Sequence, residues 1–181
     1  MPIPTEHDLT VAIVDAAKRA FLSLFGTYPG EYYYCTLITT GEAHAPVVAA
    51  WSREALSTAI AKSPDPDSDS RALKWSYADS PYYGYGENYF DEVRRLFLQR
   101  PPLSHEMTVT KWNAECDLRI SAMEAAMETL DEQGVFGLGV ARESIVILVE
   151  VMPPDHTNTE RAQRLNSPEA LKEWLVEAAE G

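Results

Sequence analysis

The sequence is poor in basic residues, and this shortage limits the partners the protein can have. It holds 15 lysines and arginines against 28 aspartates and glutamates, which gives a formal net charge of −13 over 181 residues. Phosphate contacts draw their affinity from Lys and Arg, so this balance argues against binding to DNA, RNA or anionic lipid. The same charge favours solubility and would attract a basic protein over long distances. We therefore expect no nucleic acid and no membrane partner, and leave a basic protein partner open.

Cysteine and long apolar runs are also scarce. The two cysteines, Cys35 and Cys116, are too few for a disulfide framework, and both lie in apolar patterns typical of buried thiols. No apolar run approaches the 18 residues of a membrane-spanning helix, and the N-terminus lacks the basic and apolar segments of a secretory signal. We expect a reduced, cytoplasmic protein.

Motifs that carry known chemistry are missing as well. The four histidines include no i, i+4 pair, and neither H-E-x-x-H nor G-x-S-x-G occurs. The glycines between Gly134 and Gly139 follow a predicted helix and precede a predicted strand, the reverse of the order in a phosphate-binding loop. The acidic segment Ser63–Ser70 lacks the Gly and the terminal Glu of a calcium loop, which favours a solvated linker. We assign no catalytic residue, no metal ligand and no cofactor.

Hydrophobic patterning predicts a single α+β domain over residues 1–181. We expect a small central, mostly antiparallel sheet of three to four strands packed by about six helices. The predicted strands are rich in aromatic and β-branched residues, and they cover Glu31–Thr40, Ala45–Trp51 and Ser144–Met152. The last is almost continuously apolar, which suggests a central position in the sheet. A short fourth strand is considered at Leu73–Ser76 or at Val135–Leu138.

Apolar residues at helical spacing predict the remaining elements. The longest predicted helix, Thr110–Glu132, is expected to cross the main face of the sheet. The others are Glu6–Phe25, a helix capped by Ser52 that runs through Lys62, Asn88–Gln99, a helix with a Thr157/Glu160 capping box, and one capped by Ser167 with Pro168 in its first turn.

The most unusual segment is Leu73–Phe90, which reads LKWSYADSPYYGYGENYF. It follows no helix or strand period, and such a loop is ordered only if its rings are buried in the protein or against a partner. Three interpretations stay open: the rings fold back on the helical stripe that carries Trp112 and Met123, they form a protein interface, or they line a small-molecule cleft. In the last case, desolvation would raise a carboxyl pKa. The candidate binding residues are Trp75, Asp79, Tyr82, Tyr83, Tyr85 and Glu87.

Several of these segments resemble a bacterial family known only as a domain of unknown function. The resemblance rests on the N-terminal amphipathic helix, on Tyr32–Leu37, on Leu73-Lys74-Trp75-Ser76 and on the closing Leu165-Asn166-Ser167-Pro168. Members resemble small cytosolic proteins, some encoded beside toxin–immunity genes as the SMI1/KNR4-like immunity proteins are. The resemblance provides no catalytic residue that could be carried over to this sequence, and an acidic immunity protein that neutralises a basic toxin would fit the charge.

These observations lead to two functional hypotheses. The first is a non-enzymatic interaction protein, of the immunity type in one version, that contacts its partner through the tyrosines and acids of Leu73–Phe90. The alternative is a small-molecule-binding or hydrolytic protein with a cleft at the same loop, based on Asp79 and Glu87 beside stacking rings. A homo-oligomer formed through the aromatic loop is a third expectation.

Overall fold

The computed structural model of the protein describes residues 2–180, with the side chains of residues 66–69 left out of the description. It confirms an α+β fold with a three-stranded sheet. The strands are β1 (Tyr32–Thr40), β2 (Val47–Ser52) and β3 (Val146–Met152). The helices are α1 (Glu6–Thr27), α2 (Arg53–Lys62), α3 (Pro66–Lys74), α4 (Asp91–Gln99), α5 (Val109–Glu132), α6 (Val140–Glu143), α7 (His156–Leu165) and α8 (Pro168–Glu177), with a 3₁₀ turn at Glu87–Phe90.

The sheet has the order β2-β1-β3 and mixes both kinds of pairing. Strands β1 and β2 form an antiparallel hairpin with Cys35 opposite Ala50, whereas β1 and β3 run parallel with Cys35 opposite Ile147. The long helical connection between β2 and β3 permits the parallel crossover. The expected central position of the last strand is wrong, because β1 is central and β3 is at an edge. The side chains of β3 are apolar because helices pack against both of its faces. Burial of both faces does not determine whether a strand is central or at an edge of the sheet.

Helices cover both faces of this sheet. On one face, α1, α4 and α5 pack against Cys35, Leu37 and Ile147. On the other, α2, α7 and α8 pack against Tyr34, Trp51 and further buried side chains of β3. The long helix α5 lies against α1 and β3. Within residues 2–180, no helix has the length and apolar character needed to cross a membrane.

The segment after α2 differs from the sequence-based prediction. The linker predicted over Ser63–Ser70 gives way to α3 at Pro66, and α3 continues through Leu73 and Lys74, where a short strand was considered. Proline is favoured at the start of a helix, and Arg71 and Lys74 in the last turn complement the helix dipole. The calcium-loop alternative depends on aspartates 67 and 69, whose side chains lie outside the described residues. The other considered strand, Val135–Leu138, is a turn.

Helix caps decide the remaining boundaries. Ser52 and Ser167 cap α2 and α8 as predicted, each through a hydroxyl that accepts a backbone N–H. The predicted cap at Thr157 is wrong, because α7 begins at His156 and Asp155 caps it. The Asp155 carboxylate accepts the N–H of Thr157 at 2.9 Å. An aspartate two residues earlier therefore takes the role that the capping-box pattern gave to Thr157.

Candidate functional site

The aromatic stretch lies along the open edge of β2. The Gly84 N–H donates to the Val48 carbonyl at 2.8 Å, and the Ser80 hydroxyl donates to the Ala50 carbonyl at 2.5 Å. The same hydroxyl accepts the N–H of Tyr82 at 3.0 Å. Because carbonyls on an edge strand otherwise face water or another chain, the stretch closes this side of the sheet.

Most rings of the stretch fold back on the protein. Tyr82 packs between Tyr28, at 5.3 Å between ring centroids, and Tyr32, at 6.0 Å. The Tyr85 hydroxyl lies 3.3 Å from the hydroxyl of Ser23 and 3.2 Å from that of Thr27. The rings of Tyr82 and Tyr85 therefore pack against α1 and β1, in a buried cluster that also contains Met123 of α5.

Three other predicted site residues lie apart from these rings. Tyr83 is 52% exposed and its ring contacts Tyr77 at 5.9 Å. Asp79 accepts the hydroxyl of Ser76 at 2.5 Å. Glu87 lines a separate cavity beside α4, and Asp79 is not among the residues that line that cavity. None of the cavities described within residues 2–180 is lined by both Asp79 and Glu87, and the acid/base cleft considered from the sequence stays a prediction.

Trp75 sits in an arrangement of rings and carboxylates. Its ring meets Tyr33 edge-on at 5.3 Å, and its Nε1–H donates to Glu177 Oε2 at 2.8 Å. Lys74 Nζ lies 5.3 Å from the Trp75 centroid, 2.5 Å from Glu173 Oε1 and 2.8 Å from Glu177 Oε2. A groove of about 470 Å³ borders this arrangement. An aromatic face with two carboxylates is therefore already shown to hold an ammonium group in this protein.

Further charged and aromatic side chains lie around the start of β1. Arg53 stacks 5.5 Å above the Tyr33 ring and pairs with Glu31 at 3.7 Å. The backbone N–H of Glu31 in turn donates to the Glu54 carboxylate at 3.0 Å. Tyr28, three residues before Glu31 in the chain, is 48% exposed, and its ring contacts those of Tyr82 and Tyr85. We call this the β1-start surface, formed by Tyr28, Glu31, Arg53, Trp75, Glu173 and Glu177.

Sequence reasoning found only Trp75 of this surface, together with the supporting rings Tyr82 and Tyr85. Tyr28 and Glu31 lie in the turn before β1, and Glu173 and Glu177 lie one helical turn apart on α8. The i, i+4 spacing of the two glutamates was a readable sign of a carboxylate pair on one helix face. Nothing in the sequence connected that pair with Trp75, almost a hundred residues earlier.

The opposite edge of the sheet is closed by α7. The Asn166 side chain accepts the N–H of Ile147 at 2.9 Å and donates to its carbonyl at 2.7 Å. Asn158 makes the same pair of bonds with Val151, at 2.9 and 3.2 Å. Arg161 Nε donates to the Val149 carbonyl, which lies between them, at 3.0 Å. The distinctive Leu165-Asn166-Ser167-Pro168 segment is thus part of an edge cover.

Beneath this edge lies a buried carboxyl that sequence reasoning did not single out. Glu150 is the lone acid in the apolar strand β3, and the Tyr34 hydroxyl donates to it. Burial raises the pKa of Glu150 to about 7, although hydrogen bonds from Tyr34 and Thr36 act in the opposite direction. Buried Arg161 approaches from α7. Excluding the undescribed side chains, residues 2–180 place no group of three His, Cys, Asp or Glu so that it could hold a metal ion.

A comparison with protein families identifies the family to which the chain belongs. The model of a family described as a domain of unknown function, DUF4303, matches residues 13–167, and the chain belongs to this family. Comparisons with curated proteins and with solved structures give no match. The match covers the sheet, both of its edges and most of the helices.

Proposed function

We propose that this DUF4303 protein is a non-enzymatic interaction protein that binds a basic protein partner through the β1-start surface. The observation that carries the proposal is the binding of Lys74 by Trp75, Glu173 and Glu177. A lysine or arginine of a partner would meet the same rings and carboxylates along the adjoining groove. A basic toxin, as the family resemblance implies for an immunity protein, is one partner with this chemistry.

The charge and the exposed rings support this proposal. A net charge of −13 attracts a basic partner over distances longer than a contact and speeds its association. Tyrosine and tryptophan are the residues that most often anchor interfaces, and Tyr28 is held in place by Tyr82 and Tyr85. Such a pre-organised surface loses little conformational entropy when it binds.

The closed sheet edges favour binding through side chains. A protein that binds by strand addition offers an edge strand with free backbone groups. In this protein the stretch around Ser80 and Gly84 covers one edge, and α7 covers the other. We also place the protein in the cytoplasm, since its two buried cysteines are free thiols.

The proposal is tested by affinity capture from a cell lysate at about 50 mM and about 500 mM salt. The higher salt concentration shortens the distance over which charges attract each other severalfold. We expect a basic partner that is retained at low salt and weakened at high salt. Glu31→Lys should weaken capture of the partner. Glu160→Lys makes the same charge change at an exposed position of α7, outside the β1-start surface, and should weaken capture less.

A second pair of variants locates the contact. Tyr28 and Tyr83 are exposed to similar extents, 48% and 52%, but only Tyr28 belongs to the β1-start surface. Tyr28→Ala should weaken capture by about tenfold, as expected for an interface anchor, and Tyr83→Ala should leave it unchanged. The reverse result would place the contact at Tyr77–Tyr83. Capture of the protein's own chain alone would instead indicate a homo-oligomer.

A further inference from the structure

A cavity of about 660 Å³ opens between α4, the β1–β2 connection and the chain that follows α4. Its apolar lining includes Ala45, Val47, Phe97 and Leu103. Arginines 94, 100 and 119 also line it. Its volume lies within the range of small-molecule sites, which combine an apolar lining with a few polar groups.

Two of these arginines share a single buried carboxylate. Glu115 accepts Arg100 Nε at 2.7 Å and Nη2 at 2.6 Å, and it accepts Arg119 Nε at 2.8 Å. The three side chains are 6 to 9% exposed. Burial raises the pKa of Glu115, but the hydrogen bonds from Arg100 and Arg119 outweigh it and lower that pKa, so the group is ionised at neutral pH. Since both guanidinium groups stay charged, the cluster carries one unpaired positive charge.

Among the described residues, the other hydrogen-bond partners of the two guanidinium groups are backbone carbonyls, and Arg100 Nη1 donates to that of Pro4. Arg119 Nη2 donates to the Pro101 carbonyl at 2.9 Å, while its Nη1 has a longer bond of 3.4 Å to the Ala43 carbonyl. These carbonyls are neutral partners. The acids that line the cavity, Glu42 and Glu87, are 56% and 71% exposed, so water and salt screen them. A positive charge beside an apolar cavity is the setting in which an anion gains most from binding.

We propose that this cavity binds a small organic carboxylate with an apolar body. The carboxylate is attracted by the unpaired positive charge that Arg100 and Arg119 share with Glu115. The apolar body lies against Phe97 and Val47. This ligand site is independent of the β1-start surface and goes beyond the proposed function.

The test titrates the full-length protein with benzoate and, as matched control, benzyl alcohol, at constant ionic strength. Inorganic phosphate is a third probe. Chemical shifts of the Ala45 and Val47 amides report on the cavity. We expect saturable shifts with benzoate, at least about tenfold weaker binding of benzyl alcohol, and no comparable effect of phosphate. Equal binding of benzoate and benzyl alcohol, or tighter binding of phosphate, would overturn the proposal.

Two variants test separately the charge of the arginine cluster and the volume of the cavity. Arg100→Met leaves Arg119 and Glu115 as a balanced pair and should weaken benzoate binding about tenfold while sparing benzyl alcohol. Ala45→Phe places a large side chain in the lining of the cavity while keeping Arg100, Glu115 and Arg119, and it should abolish the binding of both probes. The second variant keeps the test valid if Arg100→Met does not fold. Benzoate binding that survives Ala45→Phe would place the ligand elsewhere and overturn the proposal.

Discussion

The two edges of the sheet are closed by different means. At the β3 edge, Asn158 and Arg161 of α7, together with Asn166 directly after it, bind both donors and acceptors of the strand. At the β2 edge, a loop without regular structure supplies a backbone N–H and a hydroxyl to two carbonyls, through Gly84 and Ser80. One cover is a row of side chains on a rigid helix, and the other is a loop held by its own rings.

This difference shows why the most conspicuous part of the sequence is not simply a binding loop. The rings of the β2 cover are needed to order a segment that has no helix or strand bonds of its own. Where they reach the surface beside acids, around Tyr28 and Trp75, they also form the proposed contact surface. The β3 cover needs no aromatic residues because α7 is ordered by its backbone.

The largest effect is expected from Asn166→Ala at the β3 edge. The change leaves the N–H and the carbonyl of Ile147 without their partner and also breaks a bond to Ala162. Each buried polar group without a partner costs about 1 to 3 kcal/mol, so we expect a loss of about 3 kcal/mol. Chemical denaturation measures it, with Asn113→Ala on the exposed face of α5 as control. A loss below about 0.5 kcal/mol would contradict the edge role.

The β3 edge should also respond to pH through Glu150, whose pKa burial raises to about 7 from an ordinary value of 4.5. Between these values the folded state binds more protons than the unfolded state, so this group's stabilisation is complete below pH 4.5 and is lost as the pH rises through 7. Glu150→Gln removes the titration. Between pH 4.5 and 8, the wild type should therefore lose about 3 kcal/mol in the free energy of unfolding relative to this variant. A pH-independent difference would show that Glu150 titrates normally.

Within the β2 cover, the neighbouring residues Tyr82 and Tyr83 should contribute differently to the free energy of unfolding. Tyr82 packs between Tyr28 and Tyr32, whereas Tyr83 contacts Tyr77 and is half exposed. Tyr82→Ala should cost about 2 kcal/mol in the free energy of unfolding, and Tyr83→Ala less than about 0.5 kcal/mol. Thermal or urea unfolding compares the two variants directly. Equal losses would mean that the loop is not held in the way its ring contacts indicate.

The last comparison concerns Ser80→Ala at the β2 edge. It removes the donor to the Ala50 carbonyl and the acceptor of the Tyr82 N–H, while the Gly84 bond to Val48 remains. We expect a loss of about 2 kcal/mol, less than for Asn166→Ala because two bonds and not three are lost. Ser57→Ala on the exposed side of α2 should cause no change. A loss as large as that of Asn166→Ala would remove the difference between the two edges.

Local patterns in the sequence predicted most of the elements but not their arrangement. The stripe of Cys116, Met123 and Met127 identified α5, and Ser52 and Ser167 identified two helix starts. The apolar run of β3 was correctly read as a buried strand but wrongly as a central one. Periodicity reports how a strand's faces are covered and carries no information on its neighbours.

The candidate site was harder to predict because its parts come from distant segments. Trp75 could be singled out from its own neighbourhood, but Glu177 meets it only through the docking of α8. The role of Asn166 was hidden for the same reason, since its partner Ile147 is 19 residues away. The charge balance of Arg100, Glu115 and Arg119 likewise depends on which acids the fold buries and which it leaves in water.

Closure of both sheet edges underlies the proposal that a partner binds to side-chain surfaces. The most direct measurement is amide hydrogen exchange at Ile147 and Val151, whose N–H groups point out of the β3 edge. The structure predicts that both exchange slowly, like amides of the inner β1 ladder, because Asn166 and Asn158 accept them. Exchange as fast as that of exposed loop amides would show an open edge, contradict this claim and favour binding by strand addition.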